Sequence, residues 1–264
     1  MKKRWMFGVI VGVLAAGLLS QLPAETPDEA AKRVREQIKQ LREGPNAGAI
    51  LAEAAGEKFN SSKGVEKSCS ACHGKGGTKL KGAFTKMPRY YKDIDMVADL
   101  DLRIKKCSEK YQGKKVKGKK ARKSLVHMAM FVASLSNGMK LDPMPYAKMN
   151  AKEKAVFDKG KRLWEMRAGT RDFSCRMCHD KYAGKRIRLQ GLLDLKKSMS
   201  MRYWPAFRFG KDKGWTAEDR IRGCYKQMRF KPKPPHYSKT VIGLQMYMFH
   251  LSKGGVVAAP GLVR

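Results

Sequence analysis

Two cysteines with two residues between them, and a histidine directly after the second, occur twice in this chain: Cys69-Ser-Ala-Cys72-His73 and Cys175-Arg-Met-Cys178-His179. This spacing has a well-defined chemistry. The two thiols form thioether bonds to the vinyl groups of a haem, and the adjacent imidazole ligates its iron. With six cysteines and five histidines in 264 residues, chance supplies about 0.0025 copies of so loose a pattern, so two copies point to two covalent c-type haems. A structural zinc shared by the two CxxC pairs would leave His73 and His179 without a role and would call for pairs closer together. A thioredoxin-like CxxC needs a βαβ setting, and none surrounds either pair.

With His73 and His179 on one side of each iron, the group on the other side sets the chemistry. A methionine thioether raises the potential and suits an electron carrier, and Met87, Met199, Met201 and Met228 stand at suitable places among 16 methionines. A thiolate lowers the potential, and two cysteines remain for that role, Cys107 and Cys224, which lie 34 and 45 residues after their histidines. A Cys107–Cys224 disulfide and two free thiols are the other uses of this pair in an exported protein. Each cysteine has an arginine four residues before it, Arg103 and Arg220. On a helix that spacing puts both side chains on one face, where a guanidinium could hold a thiolate and grip an oxyanion. In a chain with 57 Lys and Arg a solvated surface arginine explains the same spacing, and spacing alone does not separate the two.

The elements that must position these residues repeat. Cys69 to His73, Arg103-Ile-Lys-Lys-Cys107 and Phe131-Val-Ala-Ser-Leu135-Ser-Asn-Gly138 recur as Cys175 to His179, Arg220-Ile-Arg-Gly-Cys224 and Tyr247-Met-Phe-His-Leu251-Ser-Lys-Gly254, at offsets of 106, 117 and 116. Each unit reads as a small all-α haem domain, so the expected fold is two class I cytochrome c-like domains in tandem. A helix over 49–59 precedes the first motif. A second, capped by Asn150 with Glu153 at its third position and an apolar face of Val156, Phe157, Gly160, Leu163 and Trp164, precedes the other. A last helix closes each unit, with Met128, Phe131 and Leu135 in one and Leu244, Tyr247 and Leu251 in the other. Gly56 and Gly160 are small enough for these helices to cross closely.

The first 24 residues have a cationic start, Lys2-Lys3-Arg4, and an apolar run from Trp5 to Leu19, which reads as a signal peptide, with an uncleaved short anchor as the alternative. A helix opened by Thr26-Pro27-Asp28-Glu29 follows. The expected organisation is a signal peptide over 1–24, an N-terminal haem domain over 25–145 and a C-terminal haem domain over 146–264, with the boundary in the proline-interrupted 141–146. The formal charge of +34 attracts anions. In an exported haem protein nucleic acid is the least fitting of them. The run Lys114-Lys-Val-Lys-Gly-Lys-Lys-Ala-Arg-Lys123 has the composition of an exposed loop, either solvated or a dock for an acidic partner.

From about residue 60 to 255 the chain resembles the SoxA family, the dihaem cytochrome subunits of periplasmic thiosulfate oxidation. The residues that carry the resemblance are Cys175 to Arg188, Tyr203-Trp-Pro-Ala-Phe-Arg208 and Arg220-Ile-Arg-Gly-Cys224-Tyr-Lys-Gln-Met-Arg229, with Arg103 to Cys107 and Leu135 to Met139 in the first half. The resemblance implies an L-cysteine S-thiosulfotransferase that joins thiosulfate to a cysteine of the carrier SoxYZ and passes electrons to the cytochrome SoxX. It further implies Cys224 as catalytic sulfur and iron ligand, Arg220 as the residue that orients thiosulfate, and Cys107 as ligand of the first haem. A dihaem carrier without chemistry of its own, and a thiosulfate dehydrogenase that forms tetrathionate, are the competing functions.

Overall fold

A computed structural model of the chain describes residues 46–187 and 190–263, together with Thr26, Asp28, Glu29 and Lys32. The expected signal peptide and most of the helix after it lie outside these residues. The start of that helix is described: Thr26 N–H donates to Glu29 Oε2 at 2.8 Å and Glu29 N–H to Thr26 Oγ1 at 3.3 Å, the reciprocal cap expected there.

Residues 45–264 pack as one unit. Its first half runs α1 (Ala47–Asn60), α2 (Cys69–His73), β1 (Arg89–Tyr91), β2 (Met96–Ala98), α3 (Leu100–Tyr111) and α4 (Gly118–Ser134). Its second half runs α5 (Ala151–Glu165), a turn of π-helix (Met177–Lys181), β3 (Arg186–Ile187), β4 (Gln190–Gly191), α6 (Leu195–Ser198), β5 (Ala206–Arg208), β6 (Lys213–Trp215), α7 (Ala217–Gln227), α8 (Lys239–Leu251) and β7 (Gly261–Val263). Helix dominates, but the all-α expectation is corrected by short strands. β1 pairs antiparallel with β2, Arg89 opposite Ala98. β5 pairs antiparallel with β6, Ala206 opposite Trp215, and parallel with β7. Each hairpin turns at an aspartate in the left-handed region, Asp95 (φ 49°) and Asp212 (φ 46°), a conformation that Asp tolerates better than most residues. Strands this short carry too few residues to display a period of two.

The expected helix crossings occur at the expected glycines. At Gly56 a Cβ would lie 2.8 Å from the ring of Phe131, where α1 meets α4. At Gly160 it would lie 1.9 Å from the carbonyl oxygen of Gly243, so α5 and α8 touch backbone to backbone. Asn150 caps α5 with the full reciprocal pair to Glu153.

The two halves exchange contacts. Val97, Ala98 and Leu102 of the first half share a core cluster with Ile242 and Met246 of the second. In return Phe207 of the second packs with Ala52 and Met130 of the first, and the N–H of Tyr90 donates to Glu153 Oε1 at 2.9 Å. Each hairpin therefore lies against the other half's helices. At the centre of the exchange is a buried polar cluster. Asp99 caps α3 and Thr216 caps α7, and two residues further on Asp101 and Glu218 point into the same space, 3% and 0% exposed.

Arg122 closes this cluster, with Nη2 at 3.5 Å from Asp101, 3.3 Å from Glu218 and 3.2 Å from Asp219. This corrects the expectation of a loop through 114–123. The chain is irregular and mostly exposed to Lys117, but Gly118 onward is helix α4. Lys, Ala and Arg are good helix formers, and Arg122 shares the inward face with Leu125 and Val126, so the run is the amphipathic start of a helix.

Two outcomes follow from this packing. Gly160→Ala should lower unfolding free energy by about 3 kcal/mol or more, because backbone cannot yield, whereas Gly56→Ala should cost roughly 1 kcal/mol, because the Phe131 ring can move. Thermal unfolding of the two variants checks the order. Burial and the Glu218 carboxylate raise Asp99 from 3.8 to about 7. The folded cluster thus keeps a proton that the unfolded chain has released, so its contribution to stability is greatest at acid pH and falls as pH rises through about 7. Denaturant titrations across that window should show the decline, and Asp99→Asn should flatten it.

Candidate active site

Each attachment motif begins at a serine cap. Ser68 Oγ accepts the N–H of Ala71 at 3.2 Å, and Ser174 Oγ accepts the N–H of Met177 at 3.1 Å. In the first half α2 carries both cysteines and the histidine; in the second Cys175 lies in the helical residues just before the π-helix, which carries Cys178 and His179. An aromatic side chain from the preceding helix backs each imidazole: Phe59 lies 6.4 Å from His73, and Trp164 stacks 6.1 Å from His179.

In the first half, Cys69, Cys72, His73 and Cys107 line one cavity of about 340 Å³, walled by Leu80, Leu100, Ile104 and Val132. Two thiols and an imidazole from the attachment motif, a third sulfur in the same lining, apolar walls and a volume in the cofactor range together fit a covalently attached haem. In the second half the imidazole and the third sulfur act on each other. His179 Nδ1 lies 2.9 Å from the carbonyl oxygen of Leu193. A carbonyl only accepts, so Nδ1 carries the proton and Nε2 is left to serve as a ligand atom. A histidine fixed in this tautomer by a backbone carbonyl is oriented as metal-binding histidines are.

Helices α3 and α7 turn the four-residue spacing into proximity: Arg103 acts on Cys107, and Arg220 on Cys224. The two thiols nevertheless shift in opposite directions. Burial raises Cys107, and Arg103 offsets this only in part. Burial also pushes Cys224 up, but the His179 hydrogen bond, the Arg220 charge, the His179 charge and Arg208 together bring it below its ordinary value. Cys224 is therefore the sulfur that the protein favours as thiolate. The six cysteines are all unbridged, so the Cys107–Cys224 disulfide is not formed. Among the methionine candidates Met87 lines the first cavity, where its sulfur accepts the Tyr91 hydroxyl at 3.2 Å. Met201 and Met228 are buried and Met199 is exposed.

Three participants were not singled out in the sequence: Arg208, Asp93 and the Leu193 carbonyl. Comparing the two halves at an offset of 117 would have found the first two, since Arg208 stands where the first half has Tyr91 and Asp93 where the second has Gly210.

A family model described as SoxA/TsdA, cytochrome c domain, matches residues 54–141. Over its whole length the chain is 45% identical to the L-cysteine S-thiosulfotransferase subunit SoxA of Hydrogenobacter thermophilus, across all of that protein. The chain belongs to the SoxA family. A second SoxA, from Hydrogenophilus thermoluteolus, is 34% identical, again over the full length of both. The crystal structure of SoxXA from P. pantotrophus matches with a TM-score of 0.71 at 21% identity, over 82% of this chain and 78% of that one, and so shares the SoxA fold. A SoxA chain with a cytochrome c domain carries covalently bound c-type haem and its iron.

Proposed function

We propose that this chain catalyses the oxidative conjugation of thiosulfate to a cysteine of the SoxYZ carrier, with Cys224 and Arg220 at the catalytic centre and SoxX as partner. The observation that carries the reading is the unequal treatment of two equivalent sulfurs: His179, Arg220 and Arg208 all act to ionise Cys224, whereas burial prevails at Cys107. The balanced reaction takes a carrier thiol and thiosulfate to a cysteine S-thiosulfonate, one proton and two electrons. An S–H bond is broken, an S–S bond is made, and the electrons leave to cytochrome.

The residues that would hold one haem are Cys69, Cys72 and His73 with Cys107 opposite. Those for the other are Cys175, Cys178 and His179 with Cys224 opposite. Bound there, haem supplies the one-electron redox chemistry that a thiol oxidation requires. The protein's own part is electrostatic. Thiosulfate is a small dianion; the net charge of the chain draws it in, and a guanidinium beside the reactive sulfur binds it in one orientation. The proline-interrupted stretch at 141–146 supports a division of the two haem halves near residue 145, and the cationic start followed by an apolar run supports a periplasmic location.

Cys224→Ser should lower thiosulfate-dependent cytochrome reduction, assayed with SoxYZ, by about a hundredfold or more. Cys107→Ser should keep most of the rate, and each variant should remove one thiolate-type low-spin signal in electron paramagnetic resonance. Wild-type turnover by the Cys224 variant would overturn the assignment.

A further inference from the structure

Helix α7 carries two pairs of residues four apart, Glu218 with Arg222 and Arg220 with Cys224. At about 100° of turn per residue the two pairs stand on roughly opposite faces of the helix. The face with Arg220 and Cys224 is the one the proposed reaction uses. The other is gripped from outside the helix.

Glu218, fully buried, is the centre of the grip. Arg122, from the start of α4 in the first half, donates from Nη2 to Glu218 Oε2 at 3.3 Å, to Asp219 Oδ1 at 3.2 Å and to the Thr216 hydroxyl at 3.4 Å. Its Nη1 donates to the Tyr237 hydroxyl at 2.5 Å. From the segment just before α8, His236 Nδ1 donates to Glu218 Oε2 at 2.9 Å, and the N–H of Tyr237 donates to Glu218 Oε1. With the proton on Nδ1, His236 Nε2 accepts, and Arg222 Nη1 donates to it. Arg222 Nε donates to the carbonyl oxygen of Pro234 at 2.9 Å, which fastens the same segment a second time. A continuous chain from Arg222 through His236 and Glu218 to Arg122 thus runs along the back of α7 and crosses from the second half into the first.

The repeated helix is held differently. At the offset of 117, Asp219 corresponds to Leu102 and Arg222 to Lys105, and Lys105 pairs with Glu109 of its own helix α3. Glu218 corresponds to Asp101, which lies 3.5 Å from the same Arg122 and so adds to the grip on α7. The equivalent sulfur, Cys107, therefore sits on a helix without this chain behind it.

We propose that Arg122, Glu218, Arg222 and His236 are positioning residues for the reaction: they clamp the back of α7 so that Cys224 and Arg220 stand in the alignment turnover needs, and the first half reaches the second half's site through Arg122. The inference rests on the function proposed above and adds the residues that hold its catalytic pair. Misplacing a reacting group by about 1 Å can cost about a hundredfold in rate, and a helix released along its back can move that far without unfolding.

The test compares Arg122→Gln, Arg122→Lys and Arg222→Gln in the protein carrying its haems, by low-temperature electron paramagnetic resonance, by turnover with thiosulfate and SoxYZ, and by thermal unfolding. Arg122→Gln leaves a buried carboxylate short of its cation and lowers stability. Arg222→Gln keeps Arg122 and His236 on Glu218 and carries the test alone if the first variant does not fold. Each Gln variant should shift the low-spin signal of the second haem, leave that of the first in place, and lower kcat by about tenfold or more. Arg122→Lys should recover part of the loss. Reduced thermal stability with wild-type signals and wild-type kcat would make the chain a fold contact only and overturn the proposal, as would a lower kcat with both signals unchanged. A shifted second signal with wild-type kcat would leave the clamp as the holder of the sulfur and sink the catalytic role proposed for Cys224.

Discussion

The position of the reactive sulfur depends on how the first turn of helix α7 is anchored, and that anchor is an ion cluster with one essential member from the opposite half. Glu218 is fully buried and takes Arg122 from α4 together with His236. Thr216 and Asp219 cap the same turn, and Asp219 also faces Arg122. Arg220 and Cys224 follow within the next two turns of a rigid helix. A buried cluster of this kind is poor evidence of extra stability, since desolvation offsets most of its Coulombic gain. What it fixes is register: three acidic groups converging on one guanidinium accept few other placements of α7.

The crossed hairpins give the same constraint an apolar counterpart. Phe207 can reach Met130, and Val97 can reach Met246, only when the halves dock in one way. Strand β5, which ends in Arg208, is therefore placed by the helices of the first half as much as by its own. The approach of α5 to α8 at Gly160 completes the frame, since it brings Trp164 behind His179. The imidazole comes from one element, the sulfur and Arg220 from α7 and Arg208 from β5, and their alignment is a property of the packed unit.

Much of this was legible beforehand for identifiable reasons. Covalent and coordination chemistry imposes fixed spacing, so the two CxxCH motifs and the Arg–Cys pairs stand out without any knowledge of the fold. Helix signals are local, and the Asn150–Glu153 cap and the crossing glycines appear where their chemistry requires. The strands escaped because three residues cannot show a period. The helical start of α4 escaped because a run of lysines looks solvated when Arg122 is read without its distant acids. The exchange of hairpins escaped because nothing within a repeat says which half its apolar face will meet. Arg208 escaped because one arginine among 57 Lys and Arg is silent until it is compared with Tyr91.

That last comparison bears on how a strongly basic protein can be selective at all. A formal charge of +34 raises the local concentration of any anion around the whole surface. At physiological ionic strength the field of exposed charges decays within about 8 Å, so distant lysines act alike on both haem sites and cannot rank them. Discrimination has to arise from charges that are partly shielded from water and within a few ångströms of the sulfur. The two halves differ there at the ends of β1 and β5, Tyr91 against Arg208, on a backbone that is otherwise repeated. The scaffold could thus be duplicated whole and its two sulfurs still given different work by altering a strand end.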